Sequence, residues 1–157
     1  MRVLLAIDDS QHSWEAVESV AARPWPSGTI VRVMSSVEYM IPAGPEFWYD
    51  ANGIFERTRK GMLKRAEQIT SRAVNTLAGC GLWANKVVRD GNPRAAIIEE
   101  AIDWNADLIV VGSHAYTGIK RLILGSVAQY VVSHAPCSVE VIQQRRIEED
   151  NEMEAAA

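Results

Sequence analysis

The sequence predicts one α/β domain, in which five parallel strands form a doubly wound sheet with helices on both faces. Two observations predict it. Short apolar runs rich in β-branched residues alternate with segments of helical periodicity, and the connections are long enough to contain crossover helices. The 157 residues, 48% hydrophobic and 23% charged, suit one domain with a complete core.

The first half of the chain predicts two strands and two helices. Residues 3–7 form the first strand, and Ser10 caps a helix with apolar side chains at helical spacing. Pro and Gly within residues 24–28 end that helix, and residues 29–37 predict the second strand. Residues 54–78 carry one apolar face and predict a long helix, whose cationic residues we assign to its solvated face.

The connection at residues 39–53 is long for a strand-to-helix link and contains the aromatic group Phe47, Trp48 and Tyr49. Long connections often serve binding, so these rings either cover a ligand or a partner subunit, or pack on the domain's own helices.

The second half repeats the alternation. Residues 82–88 predict a weaker strand, and Pro93 lies in the first turn of the next helix. Residues 108–111 predict the fourth strand, residues 125–134 the last helix and Ser138 to Ile142 the fifth strand. The last helix is expected to turn these side chains inward: Val127, Tyr130, Val131 and His134.

Composition excludes several classes of protein. The net charge of -4 gives no general attraction to nucleic acid or to an anionic membrane. No apolar run approaches the ~20 residues that span a bilayer. The apolar start at residues 3–7 is too short for a signal segment and runs directly into Asp8, so we expect a cytoplasmic protein. Cys80 and Cys137 are far apart, which favours two reduced thiols over a zinc site.

The last segment, residues 145–157, differs in composition from the rest. It is acidic and has little to bury, so we expect it to be disordered or a frayed helix, with the folded domain occupying residues 1–144.

The candidate functional residues lie where strands are expected to end. In a sheet of this kind, ligands bind outside the carboxyl ends of the strands, where the strand order reverses. Asp8 ends the first strand there. Its carboxylate either accepts hydrogen bonds from a ribose or joins a metal bound to phosphates, or else it caps the first helix.

The segment after the fourth strand has the features of an anion site. Gly112 lets backbone approach a ligand closely, and Gly125 with Ser126 offers N–H groups at a helix start. Lys120 and Arg121 add positive charge. The segment is neither a P-loop nor a dinucleotide fingerprint, because both glycine patterns are missing.

Several motifs in this order resemble those of the universal stress protein family. They are ADLIVVGSHA at residues 106–115, LGSVA at 124–128, APCSV at 135–139, VLLAIDDS at 3–10 and Gly-Asn-Pro at 91–93. Because these motifs extend over nearly the whole chain, the resemblance concerns the complete domain.

The resemblance implies an adenine nucleotide alpha hydrolase-like, Rossmann-like fold and a homodimer formed through Ser138 to Ile142. It also implies ATP, or another adenine nucleotide with Mg²⁺, as ligand. Ala115 stands where the ATP-binding branch has its second glycine. The implied binding residues are Ala6, Ile7, Asp8, Val37, Val111, Gly112, His114, Ala115, Gly125, Ser126 and Val127.

Three hypotheses remain at this point. The first is a dimeric, ATP-binding regulator of the stress response. The second, motivated by Ala115, is a dimeric interaction module without a nucleotide. The third is a slow ATP hydrolase in which His114 is the base, although no second catalytic group is spaced to work with it.

Overall fold

The computed structural model describes residues 1–39, 53–113 and 124–143. Strands and helices alternate along the chain in this order: β1 (Arg2–Ala6), α1 (Gln11–Ala22), β2 (Ile30–Val37), α2 (Ile54–Gly79), β3 (Trp83–Asp90), α3 (Pro93–Asp103), β4 (Leu108–Gly112), α4 (Ser126–His134) and β5 (Ser138–Ile142).

The five strands form one sheet in the order β3-β2-β1-β4-β5, and every neighbouring pair is parallel. The predicted doubly wound α/β fold is confirmed. The chain moves outward from β1 through β2 to β3, then returns to the other side of β1 as β4. The strand order therefore reverses between β1 and β4, and the crevice at their carboxyl ends is the expected place for a ligand.

The sheet is buried on both faces, which explains why its central strands are continuous apolar runs. Leu5 and Val17 belong to a core under α1 and α2, whereas Leu4, Ile97 and Val131 belong to a second core under α3 and α4. Neighbouring residues such as Leu4 and Leu5 point to opposite faces, and both are fully buried. This packing fixes the helix starts that surround the crevice.

Two sequence-based expectations differ from the structure. β3 extends to Asp90, because its residues pair with β2 as far as Val37. The inward orientation of His134 is wrong: the residue is exposed at the last turn of α4, where its ring stacks on Tyr130 at 4.0 Å. The buried side of α4 is formed by Ala128 and Val131.

Several predictions lie outside the described residues. These are the aromatic group of the connection between β2 and α2, the positions of His114 and Ala115, the positive charge of Lys120 and Arg121, and the acidic tail with the domain boundary before it. Within the described residues, no helix is both long enough and apolar enough to cross a membrane.

Candidate functional site

A cavity of about 630 Å³ opens at the carboxyl edge of the sheet, where β1 and β4 separate. The ends of β1, β2 and β4 and the beginnings of α3 and α4 line it. Eight of the predicted binding residues lie in this lining: Ala6, Ile7, Asp8, Val111, Gly112, Gly125, Ser126 and Val127. His114 and Ala115 fall outside the described residues, and Val37 lies next to the cavity lining without being part of it.

The N-terminal end of α4 borders the cavity with backbone groups. Gly125 is its N-cap and makes no side-chain hydrogen bond, and the first turn closes from the Gln129 N–H to the Gly125 carbonyl at 2.9 Å. The N–H groups of Ser126, Val127 and Ala128 therefore precede the first intrahelical bond, and the helix dipole gives this end partial positive charge. Gly125 has a φ of -59°, which any residue adopts. What matters at this position is that glycine has no side chain to cap the N–H groups of the helix.

Gly112 has a structural role that the sequence did not predict. A Cβ atom at this position would lie 2.6 Å from the His12 carbonyl oxygen and 2.8 Å from the His12 carbonyl carbon. The first turn of α1 thus packs directly on the end of β4. The missing side chain at Gly112 is explained by this contact between backbones, so the residue alone does not indicate a ligand.

Asp8 lies at the junction of β1 and α1. Its Oδ1 atom accepts hydrogen bonds from the Ser13 hydroxyl at 2.6 Å and from the Ser10 N–H at 3.0 Å. Ser10, as predicted, is the N-cap of α1, since its hydroxyl accepts from the Ser13 N–H at 3.2 Å. Ser10 is thus the residue that caps α1. Asp8 supports this turn through its hydrogen bonds and also lines the cavity.

The register of β2 directs Ser36, rather than Val37, toward the crevice. The Met34 carbonyl accepts from the Ile7 N–H on the β1 side, whereas the Val37 carbonyl accepts from the Gly91 N–H on the β3 side. Backbone groups of successive residues alternate between the two sides of a strand, so the N–H and C=O of Ser36 point to the β1 side. Ser36 lies beyond Met34, the last residue of β2 that pairs with β1. Ser36 also lines the cavity, whereas the Val37 side chain is buried.

The predicted binding residues did not include most of the apolar lining of the cavity. Met34 from β2 and Pro93 and Ile97 from α3 line it together with the predicted Val111 of β4, and Gln129 of α4 is a polar member of the lining. Helical periodicity marks Ile97 as buried, but only the packing of α3 beside β2 turns it to the cavity. An apolar wall with a carboxylate and a helix start at its borders suits a small molecule that has a flat ring and an anionic group.

Arginines of α2 neutralise two carboxylates near the cavity. Arg65 pairs with Asp9, which follows Asp8, and Arg59 Nη2 lies 2.6 Å from Asp90 Oδ2 at the end of β3. The hydrogen bond to Asp90 raises the pKa of Arg59 above its ordinary value. Asp8 is therefore the charged side chain that the described lining contributes. Within the described residues, no group of three His, Cys, Asp or Glu side chains is placed to hold a metal.

The structure is similar to several solved proteins. One is a universal stress protein family member from Arabidopsis thaliana with AMP bound, at 20% identity and a TM-score of 0.67, with 97% of each chain covered. Another is a universal stress protein in complex with cAMP, at 22% identity and a TM-score of 0.64, covering 90% of this chain and 96% of that one. A third, from Archaeoglobus fulgidus with dAMP, has 21% identity and a TM-score of 0.60, with 90% and 97% covered.

The sequence itself matches the same family. The model of the universal stress protein family matches residues 1–143. A universal stress protein from Thermus aquaticus is 33% identical over 141 residues, which cover 90% of this chain and 97% of the relative. The chain therefore belongs to the universal stress protein family.

Proposed function

We propose that the protein binds an adenine nucleotide in this cavity, with Mg²⁺-ATP as the physiological ligand. We further propose that it acts in the cytoplasm as a dimeric stress-response regulator, not as a catalyst. One observation carries the binding proposal: a single apolar-walled cavity has Asp8 of β1 and the N-terminal end of α4 in its lining. Similar proteins that hold AMP, cAMP and dAMP support the choice of adenine.

The proposed orientation follows from the chemistry of each wall. The adenine ring lies against the apolar wall, where the Ser36 N–H and C=O offer one donor and one acceptor to its edge. The Asp8 carboxylate accepts hydrogen bonds from the ribose. The phosphates lie at the first turn of α4, where N–H groups and the helix dipole favour anions.

In this proposal Mg²⁺ arrives with the nucleotide. Magnesium is commonly held by substrate phosphates together with one or two carboxylates. Asp8 is the carboxylate that the described lining contributes, and this proposal assigns it to the ribose. The phosphates and water therefore supply the ligands of the Mg²⁺.

The decisive measurement is a calorimetric titration of the protein with ATP, ADP and AMP, with and without Mg²⁺, and with GTP as the control for the base. We expect saturable binding of the adenine nucleotides at millimolar concentration or below, and weaker binding of GTP. No saturable binding of any adenine nucleotide at millimolar concentration would contradict the proposal.

The proposed dimer forms through β5. This strand is an edge of the sheet, and unpaired backbone groups at an edge favour addition of another strand. The Ile142 carbonyl accepts from the Ser113 N–H at 2.8 Å, so the backbone of Ile142 faces β4 and that of Val141 faces outward.

This geometry gives a specific test by light scattering after size exclusion. Val141→Pro removes an outward N–H and leaves the bonds between β4 and β5 intact, so we expect a monomer. Lys86→Pro at the opposite edge, β3, is the matched control and should leave the dimer unchanged. A Val141→Pro variant that stays dimeric would refute pairing through β5.

The two alternatives have separate tests. If Ala115 prevents binding, Ala115→Gly should raise ATP affinity by more than about tenfold, whereas little change would argue that Ala115 is not the obstacle. If His114 catalyses hydrolysis, His114→Ala should lower the rate of phosphate release, and an unchanged rate would remove its catalytic role.

A further inference from the structure

Asp8 is held from two sides by one side chain in the first turn of α1. The Ser13 hydroxyl donates to Asp8 Oδ1 at 2.6 Å and accepts from the Asp8 N–H at 2.9 Å. Ser13 is itself buried, with 7% of its surface exposed. The two bonds fix the backbone and the carboxylate of Asp8 with respect to the same atom.

Ser10 adds further bonds to this arrangement. Its N–H donates to the same Asp8 oxygen at 3.0 Å, and its hydroxyl lies 3.3 Å from the Ser13 hydroxyl. Rotation of the Asp8 carboxylate would break both bonds at Oδ1. The orientation of the carboxylate at the cavity is therefore set by the first turn of α1.

The first turn of α1 is in turn fixed against β4. The space that a Cβ atom of Gly112 would occupy is closed by the His12 carbonyl, and the Ser13 nitrogen lies 3.1 Å from that position. Ser13 thus belongs to a turn that contacts one wall of the cavity and orients a side chain on another. Because the turn is closely packed, Ser13 can move only if the whole first turn of α1 moves with it.

We propose that Ser13 is a positioning residue, which presents the Asp8 carboxylate to the ribose hydroxyls and so sets a preference for ribonucleotides over deoxyribonucleotides. The inference rests on the proposed function, since it concerns the sugar of the same ligand. Hydrogen bonds from a hydroxyl to a carboxylate are among the stronger ones in proteins. A carboxylate that is already oriented loses less conformational entropy when it forms them.

The test compares the affinities of ATP, 2′-deoxy-ATP and 3′-deoxy-ATP by calorimetry. Wild-type protein should bind ATP about tenfold more tightly than 2′-deoxy-ATP, because a charge-assisted bond is lost, and 3′-deoxy-ATP shows whether the second hydroxyl also contributes. Ser13→Ala should bring this ratio close to one, mainly through weaker binding of ATP. Asp8→Ala should do the same, and the double variant should match Asp8→Ala alone, because Ser13 acts through Asp8.

Ser10→Ala is the matched control for general damage to α1. It removes the side-chain cap and lowers stability, but it leaves the bonds between Ser13 and Asp8 and the backbone bond from Ser10 in place. Its ratio of ATP to deoxy-ATP affinity should stay at the wild-type value. Ser13→Cys, a similar-sized residue with a weaker donor, should give an intermediate ratio and replaces the Ala variant if that variant does not fold.

The possible results separate the two proposals. A wild-type protein that binds ATP with no preference for the ribose, or a Ser13→Ala variant that keeps the full preference, overturns the role of Ser13 and leaves nucleotide binding intact. Equal loss of the preference in Ser10→Ala and Ser13→Ala also overturns it, because the effect would then follow α1 stability. Failure of the wild-type protein to bind any adenine nucleotide overturns the proposed function itself.

Discussion

The N-terminal ends of α1 and α4 lie at the same edge of the sheet but are completed in different ways. At α1, Ser10 caps the helix and Asp8 with Ser13 adds further bonds to the turn. At α4, Gly125 offers no side chain, and the terminal N–H groups border the cavity. Side-chain oxygen atoms of the protein accept from the N–H groups at the start of α1, whereas the cap residue of α4 offers no side-chain oxygen.

The difference shows how one fold divides two tasks between similar elements. A helix start has several N–H groups without intrahelical partners, and these are satisfied by a cap, by water or by a ligand. The closed end of α1 contributes rigidity and holds Asp8, while the open end of α4 suits the anionic part of the proposed ligand. The following changes test this division.

The largest effect is expected from Gly112→Ala. The added methyl group would lie 2.6 Å from the His12 carbonyl oxygen, so the first turn of α1 must move. We expect the free energy of unfolding, measured by urea denaturation, to fall by about 1–3 kcal/mol. Gly61→Ala is the control, because nothing lies within 4 Å of its Cβ position in α2. It should stabilise the protein by about 0.5–1 kcal/mol. Equal stability of the two variants would contradict this role of Gly112.

The second change, Gly125→Asp, closes α4 in the manner of α1. A carboxylate at the N-cap accepts from the first turn, so stability should be maintained or rise by up to about 1 kcal/mol. The same charge lies where phosphate is proposed to bind, and we expect ATP affinity to fall at least about tenfold. Titration calorimetry and urea denaturation measure the two effects. Unchanged affinity would show that the anion lies elsewhere.

The third change removes one N–H group from each end. Ser126→Pro and Gln11→Pro both place proline at the first helical position, after a residue whose ψ is extended, 153° for Gly125 and 157° for Ser10. Proline is tolerated there. We expect Ser126→Pro alone to weaken ATP binding, by about tenfold, because a bond to a charged group is lost. Ser126→Ala controls for the hydroxyl, and a comparable loss in Gln11→Pro would refute the division between the two ends.

The smallest effect concerns the opposite end of α1. Arg23 Nη1 bonds Glu140 Oε2 of β5 at 2.6 Å, and this bond lowers the pKa of Glu140. The pair therefore stabilises the fold above the unfolded-state pKa of about 4.3, and this contribution is lost as the pH falls through the lower folded-state pKa. Because both side chains are partly exposed, we expect at most about 1 kcal/mol.

Urea denaturation of the wild type and Arg23→Gln measures this contribution. The difference in stability between the two proteins should be larger at pH 6 than at pH 3. The stacking of Arg23 over Trp25 does not titrate with Glu140, so it remains as a constant offset in the comparison. A difference that is independent of pH would contradict the assignment to Glu140.

Much of the fold could be predicted because its signals are local. The fifth strand has the predicted bounds, and Ser10 is the cap it was expected to be. Pro93 lies in the first turn of α3, where its missing N–H has no intrahelical partner to lose. Such features depend on neighbours within one turn or one strand. The end of β3 was less predictable, because it depends on pairing with β2.

The sequence by itself determined the order of the elements along the chain, the carboxyl edge of the sheet as the place of the site, and most of the side chains available there. The strand order that places β1 beside β4 came from the structure. Only the tertiary structure decided that Gly112 accommodates α1, that Ser36 rather than Val37 faces the crevice, and that Ile97 forms a wall. The reason is physical: periodicity and turn chemistry act over a few residues, whereas close approach and strand register arise between segments that are distant along the chain.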